Sequence, residues 1–388
     1  MTRTDAPIDP RLLPERLAAL PGVATLLDAV AETGVSAYLV GGAVRDLLLG
    51  ADRADVDAVV DGDPLPLAVQ LGEEVHSHDR FGTATVNADG LRVDLATARR
   101  ETYRGPGALP DVEPASLADD LARRDFTINA MALPLYRDPE LIDPHDGLGD
   151  LRAGLLRALH PASFVDDPTR TLRAARYAAR LGFQLEPETA QWLRSADLTT
   201  VSEDRIEAEL LKLAAEPEAR RGFELLDEWG LAPLAEDAGG LIAAVENVLE
   251  REPWKDAVDR SLVVFAAATG RGPGQVGRRR DLRSEARELA AADRPRPSEG
   301  TKLAAGRGRV ELALARAMGA DWLDEYETAW RHVGLEISGE DLLAAGVAEG
   351  PAIGRGLEAA LRAKLDGKVS GREAELEMAL AAAREAGS

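Results

Sequence analysis

Apolar and polar positions change their period about a third of the way along the chain. From Arg11 to Thr33 apolar residues recur at helical spacing and lead into the short apolar run SAYLVGG, which predicts a strand. AVRDLLLG then predicts a helix stopping at Gly50, a residue suited to a helix C-terminus. DVDAVVDGD reads as a strand that ends in turn residues. GTATVNADGLRVDLATAR alternates on both sides of Ala-Asp-Gly, the pattern of a hairpin. A Pro/Gly-rich loop, YRGPGALPDVEP, follows. From about Leu117 the period is helical almost to the end. Two polar, basic, turn-rich loops interrupt it, RGPGQVGRRRDLR and DRPRPSEGTK. No solenoid period is present. The pattern predicts the α+β class. It places a head of mixed sheet and helices over 1–136, a helical neck over 137–215, and a helical body and tail over 216–388.

Composition narrows the function. At roughly 150 residues per domain, 388 residues allow two to three domains. The net charge is 46 − 68 = −22, which excludes a generic basic nucleic-acid coat but not a local basic groove. The absence of Cys excludes disulfides, thiolate metal sites and Cys nucleophiles, and fits a reducing compartment. The N-terminal MTRTDAPIDPR lacks the apolar run of a signal peptide. SLVVFAAATG falls well short of the ~18–20 residues that span a membrane. A soluble cytoplasmic protein with no membrane contact is expected.

Two stretches carry candidate chemistry. Asp55 and Asp57 stand two apart on an expected strand, so their carboxylates project from one face. Asp94 stands on an expected neighbouring strand. Carboxylates that converge are costly unless a cation lies between them, and hard oxygen ligands favour Mg²⁺. Taken alone, a D-x-D is equally an ordinary strand-end pair. Gly41 and Gly42 stand at a strand-to-helix junction, where a backbone without Cβ atoms admits a triphosphate. Arg45, in the first turn, is in reach of phosphate oxygens, with Asp46 to orient it.

Together these stretches carry a resemblance. LVGGAVRDLLLG followed by DVDAVV resembles the head-domain signature of tRNA nucleotidyltransferases and bacterial poly(A) polymerases, in the DNA polymerase β-like superfamily. RRDFTINAMA, at Arg123 to Ala132, resembles that family's second motif, and DPHDGLGDLRAGLLR its third. DDPTRTLRAARYAARLGF is similar to the nucleotide-reading motif of the class II branch. GEDLLAAGVAEGPAIGRGLEAALRAKLDGKVSGREAEL resembles the tail of many bacterial members. The resemblance is dense from about 35 to 185 and returns in the tail; about 235 to 330 is unmatched.

The resemblance implies a polymerase β-like head followed by a helical neck, body and tail. It implies a template-independent enzyme adding C, A or both from CTP and ATP to the tRNA 3′ end, with release of pyrophosphate. The partners it implies are the tRNA 3′ end, CTP and ATP, with no obligatory protein partner. Asp55 and Asp57 would hold two Mg²⁺ ions, with Asp94 the third catalytic carboxylate. Gly41, Gly42, Arg45 and Arg124 would contact the nucleotide, with Asp125 and Asn129 as internal supports. Asp167 and Arg170, one helical turn apart, would read the base. Asp offers acceptors and Arg donors, which suits the pairing edges of cytosine and adenine and not those of uracil and guanine. Arg173 and Arg176 continue that face and would hold phosphates or support the base.

For RNA, the candidates are Arg278, Arg279, Arg280, Lys302 and Lys364, weighed against simple solubilising loops. His76 to Asp79 is read as a polar turn, and EDRIEAELLK as a helix with i,i+4 charge pairs. His145-Asp146 lies inside the third motif. One departure stands out. Pro-Gly-Ala-Leu-Pro occupies the loop where full CCA-adding members carry an acidic-basic flexible segment. That leaves open CC-only or A-only addition, poly(A) synthesis and small-molecule nucleotidyl transfer.

Overall fold

The computed structural model describes residues 7–51, 56–72, 75–78, 82–88, 91–136, 139–232, 234–274 and 281–385. Asp55 and Arg278 to Arg280 therefore lie outside the described residues. The chain divides once, into compact units of residues 1–232 and 233–388.

The first unit is built on a six-stranded mixed sheet in the order β3-β4-β5-β2-β1-β8. Its strands are β1 (Ala37–Val40), β2 (Val56–Val60), β3 (Val75–His78), β4 (Thr83–Ala88), β5 (Leu91–Thr97) and β8 (Ala132–Pro134). The β2–β5 pair is parallel and the others antiparallel. The parallel register sets Asp57 opposite Asp94. Alternation along β2 turns Val56, Ala58 and Val60 to one face and Asp57 and Val59 to the other. Below the carboxylate end, Val59 packs with Val40, Ala98, Leu121 and Ala132. That packing closes one end of the face and leaves the acid-bearing end open. The helix Gly42–Leu48 leaves β1 through Gly41. A separate hairpin pairs β6 (Arg99–Thr102) with β7 (Asp111–Pro114).

The rest of this unit is helical. Thr169–Leu181 packs against Glu203–Ala215 and Ala219–Glu228. The second unit is all helix and turn among its described residues, and ends in Pro351–Leu365 packed on Arg372–Glu385.

Several sequence expectations shift. The helix expected from Arg11 to Thr33 is two segments, Leu13–Ala18 and Val23–Thr33, and Gly22, at φ 75°, caps the start of the second. Of HSHD, His76 to His78 lie in a strand at the sheet edge rather than in a turn, and Asp79 lies outside the described residues. DVEP is a strand, not loop. β8 interrupts the helical stretch, and part of DRPRPSEGTK folds as the helix Pro297–Ala304.

Candidate active site

Two adjoining cavities occupy the open end of the sheet. One, of about 370 Å³, is lined by Asp57 and Asp94 together with Thr85, Arg99, Arg123 and Arg124. The other, of about 400 Å³, is lined by Gly42, Tyr103, Asp167, Arg170 and Arg173, and also by Asp57, Arg99, Arg123 and Arg124. Three arginines thus form a wall common to both.

Asp57 is exposed, although its strand neighbours Val56 and Ala58 are buried. Register partners on adjacent strands stand about 4.8 Å apart, so Asp57 and Asp94 bring like charges together. Thr85 Oγ1 donates to Asp94 Oδ1 at 2.5 Å, and Arg92 lies 3.2 Å from the other oxygen. A pair of hard carboxylates lining an open cavity fits a divalent cation. Among the described residues no cluster of three ligands forms, and Asp55, expected to hold metal with Asp57, lies outside them.

The glycine pair divides its work. Gly41 has φ 69°, and a Cβ there would lie 2.5 Å from Arg124 Nη1. The bare backbone therefore admits the Arg124 guanidinium, which also binds Asp120 at 2.8 Å. Gly42 lines the second cavity.

Arg45 turns inward instead of reaching the cavity. Its Nη1 donates to Asn129 Oδ1 at 2.6 Å and its Nε to Asp46 at 2.9 Å. Its guanidinium lies 5.2 Å from the Tyr177 ring centroid. A guanidinium that is 2% exposed needs such partners to offset its lost hydration. Asn129 in turn donates to Asp125 at 3.0 Å. Burial pushes the Asp125 carboxyl up, but Arg173, 2.6 Å away, and the Asn129 bond outweigh it and hold the group below its usual range.

Asp167 and Arg170, expected to read the base from one helix face, both line the second cavity, but Asp167 is extended and precedes the helix Thr169–Leu181 that carries Arg170. Asp167 Oδ1 accepts from Thr169 N at 3.1 Å, Thr169 Oγ1 at 2.6 Å and Arg205 Nη2 at 2.8 Å. All three bonds fall on one oxygen, which leaves Oδ2 as the available acceptor. Arg170 is 5% exposed and donates to Ser163 Oγ and to the Arg123 carbonyl, each at 2.7 Å. Neither hydrogen-bond partner is charged, and Arg170 lines the cavity, where its charge also helps to lower the Asp125 carboxyl. Arg173 lines the cavity while paired with Asp125. Arg176 does not line it: it lies between Glu209 at 3.8 Å and Glu216 at 3.5 Å, with its guanidinium over Tyr177.

Sequence reasoning missed Arg205, Tyr103 and Glu101. Arg205 does not make the i,i+4 pair its helix suggests. It reaches Asp167 and the Gly107 carbonyl at 2.9 Å. Tyr103 OH donates to Glu101 at 3.0 Å, and burial followed by the Glu101 charge pushes the phenol up to about 12. The signal for both was present in ETYRGPG, an aromatic flanked by acid and base ahead of a glycine turn.

Two of the expected RNA contacts sit in acidic company. Lys302 shares a wide cavity with Glu285, Glu288, Asp293 and Glu299. The Lys364 ammonium binds the fully buried Glu375 at 2.6 Å.

Comparison with known proteins gives the family. A family model described as "Poly A polymerase head domain" matches residues 37–157, and one described as "Probable RNA and SrmB- binding site of polymerase A" matches 182–234. The CC-adding tRNA nucleotidyltransferase of Deinococcus radiodurans is 38% identical over 322 residues, 81% of this chain and 81% of that protein. The chain belongs to the tRNA nucleotidyltransferase family. An A-adding tRNA nucleotidyltransferase from Aquifex aeolicus is 52% identical over 166 residues, 41% of this chain. The matched stretches span 20% of that Aquifex protein and 50% of the A-adding relative from Halalkalibacterium halodurans. Among solved structures, a CCA-adding enzyme in an apo form superposes with a TM-score of 0.77 at 30% identity, covering 96% of each chain. The Thermotoga maritima CCA-adding enzyme complexed with tRNA superposes at 0.69 and 28%, with the same coverage.

The tRNA nucleotidyltransferases are polymerase β-like enzymes that use metal ions, and the mixed sheet with its Asp57–Asp94 pair fits that fold and that chemistry. The head-domain match takes in both carboxylates and Arg124, and the neck residues Asp167 to Arg176 follow it. No helix among the described residues is long and apolar enough to cross a membrane.

Proposed function

We propose that this protein adds C, or C and then A, from CTP and ATP to the 3′ end of tRNA in the cytoplasm. The observation that carries the reading is the shared arginine wall. It joins a carboxylate pair to a base pocket in which one side chain accepts and its neighbour donates. Residues 1–136 act as the catalytic head, 137–215 as the nucleotide-reading neck and 216–388 as the tRNA-binding body and tail.

In this reading Asp167 Oδ2 accepts from the amino group of cytosine or adenine, and Arg170 donates to the ring nitrogen beside it. Uracil and guanine reverse that order, so no nucleic-acid template is needed. Asp57, with Asp55, would hold the two metal ions, and Asp94 would be the third catalytic carboxylate. The hard donors favour Mg²⁺, which would ease ionisation of the RNA 3′-hydroxyl and stabilise the departing pyrophosphate. The protein's own contribution is positioning and fixed charge: Arg124 and Arg173 are held by buried carboxylates before substrate arrives.

A second reading, CC-only addition, is favoured by the loop between β6 and β7. Gly107 N donates to the Val165 carbonyl at 3.2 Å, and Arg205 binds the Gly107 carbonyl. The loop is thereby tied to the neck.

Three tRNA transcripts test both readings: one ending before CC, one after C and one after CC, each with Mg²⁺ and labelled CTP, ATP or both. Product lengths on a gel decide. Growth to CCA supports full addition, and a stop at CC supports the second reading. No incorporation on any transcript rejects the function.

A further inference from the structure

Within the arginine wall, charge and hydrogen bonding do not balance. Arg99, Arg123 and Arg124 carry three positive charges, and the carboxylates bonded to them are Glu101 and Asp120, so 3 − 2 leaves one positive charge. Arg123 binds both carboxylates, at 2.8 and 2.7 Å. Arg124 binds Asp120 and the Asn129 carbonyl. Arg99 has only a 3.3 Å contact from its Nη2 to Glu101, and its Nε is buried with no partner. A buried donor left unmade is costly; Arg173 Nε shares that condition, but Arg173 has a carboxylate at 2.6 Å and the nearest to Arg99 stands at 3.3 Å.

The position of Arg99 says which acceptor. It follows β5, the strand of Asp94, after one intervening residue. Alternation along β6 turns Arg99 and Glu101 inward and Arg100 and Thr102 outward. Arg99 lines both cavities. A nucleotide whose base meets Asp167 and Arg170, and whose reacting phosphorus lies at Asp57 and Asp94, must run its phosphates past this wall. The 3′-terminal phosphate of an RNA primer approaches the same carboxylates.

We infer that Arg99 is a substrate-binding residue whose weakly bonded guanidinium and remaining charge take a phosphate oxygen, from the nucleoside triphosphate or from the last phosphodiester of the RNA. This rests on the proposed function for where base and reacting phosphate lie. Glu101 orients the guanidinium, and a planar donor fork suits a phosphate better than an ammonium does.

The test uses the full chain as wild type, Arg99→Gln, Arg99→Lys and the outward control Arg100→Gln. Arg100 is exposed and paired with Asp119. Calorimetry with inorganic triphosphate and Mg²⁺ probes the first source. Filter binding of tRNA ending in CC, without nucleotide, probes the second. Arg99→Gln is expected to weaken one of these by about ten-fold or more, Arg99→Lys by less, and Arg100→Gln neither. The arm that moves names the source. Unchanged binding in both arms overturns the inference, and so does an equal loss in Arg100→Gln. If Arg99→Gln fails to fold, Arg99→Lys decides, because it keeps the charge and loses the planar donor fork. The outcomes separate from those of the proposed function. A wild type that incorporates nothing but binds triphosphate through Arg99 rejects the function alone. An active wild type with Arg99-independent binding rejects the inference alone.

Discussion

At Asp167 the carboxylate is asymmetric by construction. Thr169 and Arg205 supply three donors to Oδ1, so the bonds that fix the side chain and the bond that would read the base use different oxygens. Asp167→Asn exploits that. The amide oxygen can keep the Oδ1 bonds, and the amide NH₂ then stands where an acceptor stood. It becomes a donor suited to uracil or guanine. Discrimination between CTP and UTP should fall by about ten-fold or more, through both weaker CTP use and gained UTP use. Single-nucleotide incorporation with each of the four triphosphates measures this, and unaltered discrimination would sink the assignment. The nearness of Asp167 and Arg170 was legible from their three-residue spacing, although Asp167 is extended and precedes the helix that carries Arg170. Arg205 was not, because its partner is 38 residues away and a local reading finds acids nearer at hand. Arg45 misled for the same reason. Its sequence neighbours suggest a phosphate site, whereas Asn129, 84 residues on, takes its guanidinium.

The β6–β7 hairpin is an element whose strands leave little trace in the chain. Every residue of β7 is exposed, so no apolar alternation marks it, and the Pro/Gly content of the connecting segment suggests loop throughout. β8 was hidden for the opposite reason: three residues, all buried, carry no period to set against a helical background. β4 and β5 were legible, with alternation on both sides of a short turn. The hairpin loop meets the neck at Gly107, where φ is 68° and a Cβ would lie 2.7 Å from the Thr200 carbonyl oxygen. Gly107→Val therefore cannot keep the contact. Strain and the lost bonds to Val165 and Arg205 should lower the stability of the first unit by about 1–3 kcal/mol. Because Tyr103 and Pro110 of the same loop line the base pocket, KM for CTP should also rise several-fold. Thermal melting and steady-state incorporation check the two effects, and an unchanged KM with a lowered midpoint would make the contact structural only.

Over the whole molecule, a chain of net charge −22 must still bind a polyanion. Affinity then depends on a few cations, and every basic residue bound to an internal acid is withdrawn from that task. The sequence could count lysines and arginines but not their partners. Lys364 shows the difference. The Glu375 carboxyl is pushed up by burial, yet the Lys364 bond and the Glu336 backbone N–H, 2.7 Å away, hold it below its usual range. Glu375 also links the two tail helices, since Lys364 lies on Pro351–Leu365 and Glu375 on Arg372–Glu385. Removing the ammonium strands a buried carboxylate beside the apolar cluster of Ile337, Leu342, Ala360 and Ala379. Lys364→Met should therefore lower the melting midpoint of the second unit. It should leave the salt dependence of tRNA binding unchanged. A residue that touches phosphate would reduce the slope of log K against log salt by roughly 0.7–0.9 when removed. Filter binding over a salt series reads that slope directly. A reduction of that size with an unmoved midpoint would reassign Lys364 to the RNA surface. The expected pairing of lowered midpoint and constant slope locates the tRNA-binding charge among other residues, those not already spent on the protein's own acids.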